Sequence, residues 1–211
     1  MEIISHRGYW KHDSEKNTVI AFERSFDMGF GTEADFRDFN RSLVISHDPP
    51  GFGALSANKF FQSLALRDLS LPVALNVKAD GLQGILKDEI DRYGIENYFL
   101  FDMAVPDAIL SIKKGLRVFT RQSDVEAHPC FYEEAAGVWM DAFKDDKWLT
   151  ADVIQRHLGS GKQVCVVSPE LHGRDHMPFW ERMINSTVVN QPGVMLCTDF
   201  PEDAKYYFNH G

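Results

Sequence analysis

Short apolar runs and segments with helical spacing alternate along almost the whole chain. The run IISHRG near the N terminus is followed by NTVIAFERSFDMG, where Val19, Phe22 and Phe26 recur at the spacing of one helix face. TEADFRDF and LVISHD alternate with period two and predict two extended pieces joined near Asn40-Arg41. The same succession continues to the strand VMLCTDF and a last helical turn, EDAKYYF. This pattern predicts an α/β protein.

The remaining strand candidates are PVALNVK, NYFLFDM, RVFTRQ, GVWMDAF and KQVCVVS, and the remaining helix candidates are LQGILKDEIDRYG, VPDAILSIKKG, TADVIQRHLGSG and MPFWERMIN. With the joined pieces TEADFRDF and LVISHD counted as one, eight strand candidates alternate with helices without a linker, which favours one domain over residues 1–211. A closed barrel and an open doubly wound sheet both fit this order. No GxGxxG or GxxxxGK[ST] follows a strand, which removes the main argument for the open sheet. We therefore predict a compact single-domain (β/α)8 TIM barrel, with segments 122–137 and 169–177 as candidates to cover its site.

Composition limits the partners and the compartment. The formal net charge of -9 argues against a nucleic-acid partner, because phosphate neutralisation needs clustered Lys and Arg. No apolar stretch approaches the length of a membrane span, and the first strand candidate begins too early to leave room for a signal peptide. The three cysteines are far apart and show no CxxC spacing. We expect a cytoplasmic protein without structural disulfides or membrane insertion, and the sequence leaves its oligomeric state open.

Polar residues collect at the ends of the predicted strands, which in a barrel meet at one functional rim. Glu33 and Asp35 lie two apart on the second strand, so both carboxylates face the same way. Two carboxylates on one face repel each other unless a cation sits with them. A hard divalent ion such as Mg²⁺ or Ca²⁺, bound by oxygens of Glu33, Asp35 and Asn76, would satisfy the pair. The alternative is neutralisation by a side chain, for example Lys78 reaching across from the next strand.

Two histidines lie at strand ends near these carboxylates. His6 follows the first apolar run and His47 ends LVISHD. An imidazole can hold or release a proton near neutral pH, so the pair suits general acid–base catalysis. The alternative is that these histidines are only polar residues at strand edges, since the chain has 8 histidines and most must be surface or capping residues.

In order along the chain, these motifs resemble the glycerophosphodiester phosphodiesterase family of metal-dependent (β/α)8 barrels, related to phosphatidylinositol-specific phospholipases C. The family pattern is His-Arg-Gly, a Glu-Asn-Thr helix start, Glu-x-Asp, His-Asp, Glu-x-Lys and Thr-Asp-x-Pro. The matching elements here are His6-Arg7-Gly8, Lys16-Asn17-Thr18, Glu33-Ala34-Asp35, His47-Asp48, Asn76-Val77-Lys78 and Thr198-Asp199-Phe200-Pro201. The resemblance is dense over the first 50 residues, thin in the middle and visible again at the end.

The resemblance implies a role for each matching position. His6 and His47 would be the catalytic acid–base pair that cleaves a small soluble phosphodiester. Glu33, Asp35 and Asn76 would bind the divalent metal. Arg7 and Lys78 would neutralise the phosphate charge.

This sequence departs from the family pattern at two positions. Asn76 stands where the family has a third metal-binding Glu, so the site has one negative charge fewer and metal affinity should fall. Lys16 stands where the family has Glu, with Glu15 one place earlier.

The later strands offer no further match to the family pattern, and their polar residues suggest contacts with the substrate. Arg121, near the end of its strand, is a candidate for binding a second anionic group of the substrate, because guanidinium binds phosphate or carboxylate bidentately. Glu170 and His172, on the loop SPELHGRD, are candidates for substrate contact, with a solvated surface loop as the alternative.

Three functions follow from this reasoning. The leading prediction is a metal-assisted hydrolase of small glycerophosphodiester-like substrates. The second keeps the histidines without the metal, as in phospholipase C-like barrels where cationic side chains replace it. The third is a non-catalytic barrel that binds a phosphorylated ligand. Metal dependence separates the first from the second, and turnover separates both from the third.

Overall fold

A computed structural model describes residues 1–210. Within them the chain forms ten strands and seven α-helices. The strands are β1 (Glu2–Ser5), β2 (Gly31–Phe39), β3 (Ser42–Ile45), β4 (Leu55–Ser56), β5 (Val73–Val77), β6 (Tyr98–Phe101), β7 (Phe119–Ser123), β8 (Gly137–Asp141), β9 (Gln163–Val167) and β10 (Val194–Thr198). The helices are α1 (Val19–Asp27), α2 (Ala57–Ala65), α3 (Gln83–Tyr93), α4 (Val105–Lys113), α5 (Ala151–Gly159), α6 (Met177–Ile184) and α7 (Pro201–His210). The predicted α/β class is confirmed.

The chain divides into two compact units. The N-unit is Ser5–Val118, and the C-unit is Met1–Ile4 with the chain from Phe119 onward. In the N-unit, β5 pairs in parallel with β2 and β6, while β3 pairs antiparallel with β2 and β4. In the C-unit the strand order is β1–β10–β9–β8–β7, with parallel pairing from β10 to β7. The closed (β/α)8 barrel and the single domain over residues 1–211 stay predictions.

The β2–β3 hairpin departs from the expected arrangement. β5 pairs with β2 over Thr32–Phe36, whereas β3 pairs with β2 over Phe36–Phe39, so the hairpin extends past the end of β5. The chain reverses at the predicted point, where Asn40 and Arg41 have φ of 49° and 65°. Of the segment LVISHD, only Leu43–Ile45 belongs to a strand, the antiparallel β3, and His47 lies two residues after the end of that strand.

Helix α2 was not predicted, although its pattern is clear in retrospect. Its buried residues Ala57, Phe60, Phe61 and Leu64 have the spacing of one helix face. Phe60 packs edge-on against several aromatic rings of the N-unit, and the closest ring centroid is 4.9 Å away, on Phe22. This aromatic core includes Phe36 of β2, whose ring packs against Phe60 and Phe61, so α2 contacts the strand that carries the predicted carboxylates.

Gly8 holds the turn after β1 close to α1. Its φ is +83°, and a Cβ there would lie 2.8 Å from Ala21 Cβ and 3.0 Å from the Phe22 ring. Only glycine fits this approach without strain. The close contact holds Gly8, which directly follows His6 and Arg7, against α1.

No helix within residues 1–210 has the length and apolar character needed to cross a membrane.

Candidate active site

Two buried carboxylates of the N-unit lie on one strand, beside a buried amide on the neighbouring strand. Glu33 and Asp35 on β2 and Asn76 on β5 are all at least nine-tenths buried. The parallel register places Asp35 directly beside Asn76, so the two side chains point to the same side of the sheet. The predicted spacing of the two carboxylates and the amide is therefore realised in the structure.

Two cations face these carboxylates. The Arg7 backbone N–H donates to Glu33 Oε2 over 3.0 Å, and Arg7 Nε lies 3.1 Å from Asp35 Oδ2. Lys78 Nζ lies 3.5 Å from Asp35 Oδ1. The neutralisation by Lys78 that the sequence left open is thus present, and Arg7 adds a second positive charge.

Asn17 fixes the orientation of Asp35 from the other side. Its side-chain Nδ2 donates to Asp35 Oδ2 over 2.8 Å, and its backbone N–H donates to the Arg7 carbonyl over 2.9 Å. Its φ is 59°, in the left-handed region that Asn tolerates better than most residues. Sequence reasoning included Asn17 in the motif but gave it no role, because its partner lies 18 residues away on another element.

The electrostatics of the cluster favour a proton on Glu33. Burial raises the pKa of Glu33, the neighbouring Asp35 charge raises it further, and the pKa reaches about 7. Positive charge on His6, Arg7 and Lys78 opposes this shift. Since His6 contributes to the pKa of Glu33, its imidazole lies within electrostatic range of that carboxyl group.

The two predicted catalytic histidines occupy different surroundings. His6 immediately follows β1, and its carbonyl accepts a hydrogen bond from Trp10 Nε1 over 3.1 Å. His47 is exposed, and its Nδ1 lies 2.9 Å from Asp48 Oδ1. A carboxylate on Nδ1 sets the tautomer and orients the ring, leaving Nε2 for proton transfer. The Ser46 N–H donates to the Asp35 carbonyl over 2.9 Å. This hydrogen bond joins the backbone directly before His47 to the backbone of Asp35.

The oxygen donors fit a hard divalent cation. Asp35 Oδ1 and Asn76 Oδ1 are both buried, and neither accepts a hydrogen bond. Carboxylate and amide oxygens are the ligands that Mg²⁺ and Ca²⁺ prefer. Within residues 1–210 no three His, Cys, Asp or Glu side chains are grouped so that they could hold a metal, and here the third donor is the neutral amide of Asn76. The set therefore suits a divalent ion in chemical type, with less charge than three carboxylates would supply.

Solved structures share this fold over nearly the whole chain. A glycerophosphodiester phosphodiesterase from Agrobacterium tumefaciens matches with a TM-score of 0.70 at 16% identity, covering 99% of this chain and 98% of that chain. An Oleispira antarctica phosphodiesterase in complex with the product sn-glycerol-3-phosphate matches with a TM-score of 0.68 at 13% identity, covering 99% and 97%. The chain has the fold of the glycerophosphodiester phosphodiesterases.

The glycerophosphodiester phosphodiesterase fold extends to a related class of enzyme. A Ca²⁺-dependent phosphatidylinositol-specific phospholipase C from Streptomyces antibioticus matches with a TM-score of 0.60 at 8% identity, covering 98% of this chain and 95% of that chain. No protein-family model matches the sequence, and no curated protein matches it either. The family resemblance inferred from the motifs is thus confirmed at the level of the fold.

The departure at Lys16 from the glycerophosphodiester phosphodiesterase pattern is neutralised locally. Lys16 Nζ lies 2.9 Å from Asp13 Oδ1 and 4.2 Å from the centre of the Trp10 ring. Glu15 accepts hydrogen bonds from Arg24 over 2.7 Å and from the Lys11 backbone N–H over 2.8 Å, and together these bonds lower the pKa of Glu15 to about 2. Both side chains are committed to contacts beside α1.

The other predicted substrate-binding residues lie in the C-unit. Arg121 is in the middle of β7 rather than at its end, and its Nε lies 2.5 Å from Glu126 Oε2. Glu170 accepts hydrogen bonds from the Thr198 hydroxyl and the Asp199 N–H. His172 Nε2 lies 2.6 Å from Asp141 Oδ1. The roles of Arg121, Glu170 and His172 in substrate binding stay predictions.

Proposed function

We propose that this protein is a phosphodiester hydrolase that cleaves a small soluble glycerophosphodiester-like substrate by acid–base catalysis with His6 and His47. The observation that carries the proposal is the N-unit cluster, where two buried carboxylates share one sheet face with Arg7 and Lys78. The fold shared with glycerophosphodiester phosphodiesterases supports the same reaction class. A closed (β/α)8 barrel and a cytoplasmic location complete the proposal.

The chemistry requires one proton to leave the nucleophile and one to reach the leaving group. One histidine takes the proton of the attacking hydroxyl, which is a neighbouring hydroxyl of the substrate, and the other protonates the departing alkoxide oxygen. The first product is then a cyclic phosphate, which water opens by the reverse use of the pair. The Asp48 contact on Nδ1 keeps His47 oriented for this transfer.

Charge stabilisation at the phosphate falls to the cations of the site. Arg7 and Lys78 offset the negative charge that builds on the equatorial oxygens as the phosphorus is attacked. Glu33, Asp35 and Asn76 would hold a divalent cation, Mg²⁺ or Ca²⁺, which supplies Lewis-acid polarisation when bound. Asn17 keeps Asp35 oriented for this purpose.

A metal-free phosphodiesterase is the second candidate. It is favoured by the two cations already placed on Asp35, at 3.1 Å and 3.5 Å, and by the neutral amide of Asn76. In that case Arg7 and Lys78 alone would stabilise the phosphate charge.

The test is hydrolysis of a panel of glycerophosphodiesters, which carry the neighbouring hydroxyl that the mechanism uses, with Mg²⁺, Ca²⁺ or EDTA. His6→Ala and His47→Ala should each lower kcat by about 10²- to 10⁴-fold. The matched control is His12→Ala, which removes an exposed histidine and should keep wild-type rates. Activity that survives EDTA favours the metal-free candidate. Wild-type protein that turns over no diester would contradict the enzyme proposal and favour a binding protein.

A further inference from the structure

Lys78 lies between carboxylates from two different strands. Its Nζ is 3.5 Å from Asp35 Oδ1 and 4.0 Å from Asp102 Oδ2, and Asp102 directly follows β6. We propose that Asp102 is a positioning residue, which holds the Lys78 ammonium while Asp35 Oδ1 binds a divalent cation. The proposal deepens the function above and rests on its cation site.

Only one oxygen of Asp35 is available to a cation. Oδ2 already accepts from Asn17 over 2.8 Å and lies 3.1 Å from Arg7 Nε. Oδ1 is buried, accepts no hydrogen bond, and has the Lys78 ammonium as its ion-pair partner. A divalent ion on Oδ1 and an ammonium group 3.5 Å from the same atom would repel each other strongly in this buried place.

Lys78 therefore has to move when the cation binds, and Asp102 is a second carboxylate within its reach. The Lys side chain is flexible and carries a point charge, so it can change partner without the geometric demands of a guanidinium group. Asp102 lies close to Lys78 because of the β5–β6 register, in which Phe101 pairs with Asn76. Asp102 directly follows Phe101, and Lys78 lies two residues after Asn76. The Lys78 and Asp102 side chains are 22% and 19% exposed, so the alternative pair is only partly screened by water.

The backbone conformation of Asp102 makes Asn the suitable replacement for testing the role of its charge. Its φ is 68°, a left-handed conformation that Asp and Asn adopt more readily than other residues with a Cβ. Asp102→Asn therefore removes the charge while keeping both the shape and the backbone preference. The exposed Asp88 on α3 provides a charge-matched control, Asp88→Asn.

The experiment is calorimetric titration of the full chain with Ca²⁺ and, separately, Mg²⁺. Asp102→Asn should weaken cation binding on the order of tenfold, because the ammonium then stays on Asp35. Lys78→Met should tighten binding, since it removes the competing charge. In the Lys78→Met background, Asp102→Asn should change affinity by less than about twofold, as expected when one residue acts through the other. Asp88→Asn should also stay within about twofold of wild type, because an exposed charge contributes little.

Two results would overturn the proposal. One is an equal loss from Asp102→Asn in the wild-type and Lys78→Met backgrounds, which would mean that Asp102 acts on the cation by its own charge. The other is an absence of cation binding in both the wild type and Lys78→Met. Hydrolysis by the wild type is measured separately, so an inactive protein with the expected binding pattern would contradict the enzyme proposal and leave this inference standing.

Discussion

Glu33 carries a carboxyl group whose proton is retained by burial. Its side chain is almost fully buried beside the Asp35 charge, and its pKa is raised from 4.5 to about 7. Between these two pH values the folded chain holds a proton that the unfolded chain has released. The free energy of unfolding must then fall as pH rises through that window.

Glu33→Gln should remove this pH dependence. In EDTA, the stability of the wild type relative to Glu33→Gln should drop by roughly 1 to 3 kcal/mol between about pH 4.5 and pH 7. The measurement is urea denaturation across this pH range. Glu96→Gln, at an exposed position, serves as the control and should follow the wild type. A constant difference between wild type and Glu33→Gln at all pH values would contradict the raised pKa.

At the scale of residues, the sequence predicts which polar side chains share one face of the sheet, but it does not predict which of them form hydrogen bonds with residues of other elements. The period-two spacing of Glu33 and Asp35 and the position of Asn76 correctly predict a polar cluster, because strand geometry fixes which side chains share a face. It does not predict the Asn17–Asp35 hydrogen bond. That contact depends on how the chain returns after β1, which no local pattern encodes.

At the scale of elements, the turn after β1 and helix α1 depend on one glycine. Gly8→Ala should destabilise the protein by about 2 to 4 kcal/mol, because the new methyl group adds both left-handed strain and a clash with α1. Gly29→Ala is the matched control, since Gly29 also has a positive φ, +70°, but faces open space. It should cost only about 1 kcal/mol. Equal losses in the two variants, measured by urea denaturation, would show that the contact with α1 contributes nothing.

Helix α2 contributes the centre of the N-unit aromatic core. Phe60→Ala should destabilise the protein by about 3 to 5 kcal/mol, because it leaves a cavity among the surrounding rings. Phe52→Ala removes the same side chain at a position that is 95% exposed and should change stability by less than about 1 kcal/mol. The measurement is thermal denaturation of the wild type and both variants, which compares their losses of stability. A Phe60→Ala loss as small as that of Phe52→Ala would contradict the packing described for α2.

The order of elements was predictable, and the exceptions have local causes. Helix α2 carried a correct helical spacing at Phe60, Phe61 and Leu64, yet it follows a loop rich in Pro and Gly that obscured its start. For the β2–β3 hairpin, the period-two pattern correctly predicted both extended pieces and the turn at Asn40-Arg41. The antiparallel direction of β3 required knowing that β2 continues beyond β5.

At the scale of the whole molecule, the net charge is negative, whereas positively charged side chains are concentrated at the candidate site. The chain has 31 acidic and 22 basic side chains, yet Arg7 and Lys78 are both concentrated on one buried carboxylate. An acidic protein attracts cations in general, so a cation effect must be traced to Asp35 before it supports the proposed site.

Divalent cations should raise the thermal midpoint of the wild type. At a free concentration of about 100 times Kd, binding stabilises the folded state by about 2.7 kcal/mol, which corresponds to roughly 5 to 10 °C for a chain of this size. Asp35→Asn should abolish the shift while retaining the shape of the side chain. Calorimetric scans in Ca²⁺, Mg²⁺ and EDTA make the measurement. An equal shift in Asp35→Asn would assign the effect to general surface binding.

The pairing of β2 with β5 also protects the site against errors of assembly. Ala34 and Phe36 alternate with Glu33 and Asp35 along one strand, so a slip of one residue would exchange the two sets. Such a slipped chain would bring the carboxylates to the face where Phe36 packs against Phe60 and Phe61, and burying unpaired charges among these rings would be strongly destabilising. The aromatic core and the carboxylate cluster therefore depend on the same strand register, so a chain that packs Phe36 against Phe60 also places Glu33 and Asp35 on the opposite face.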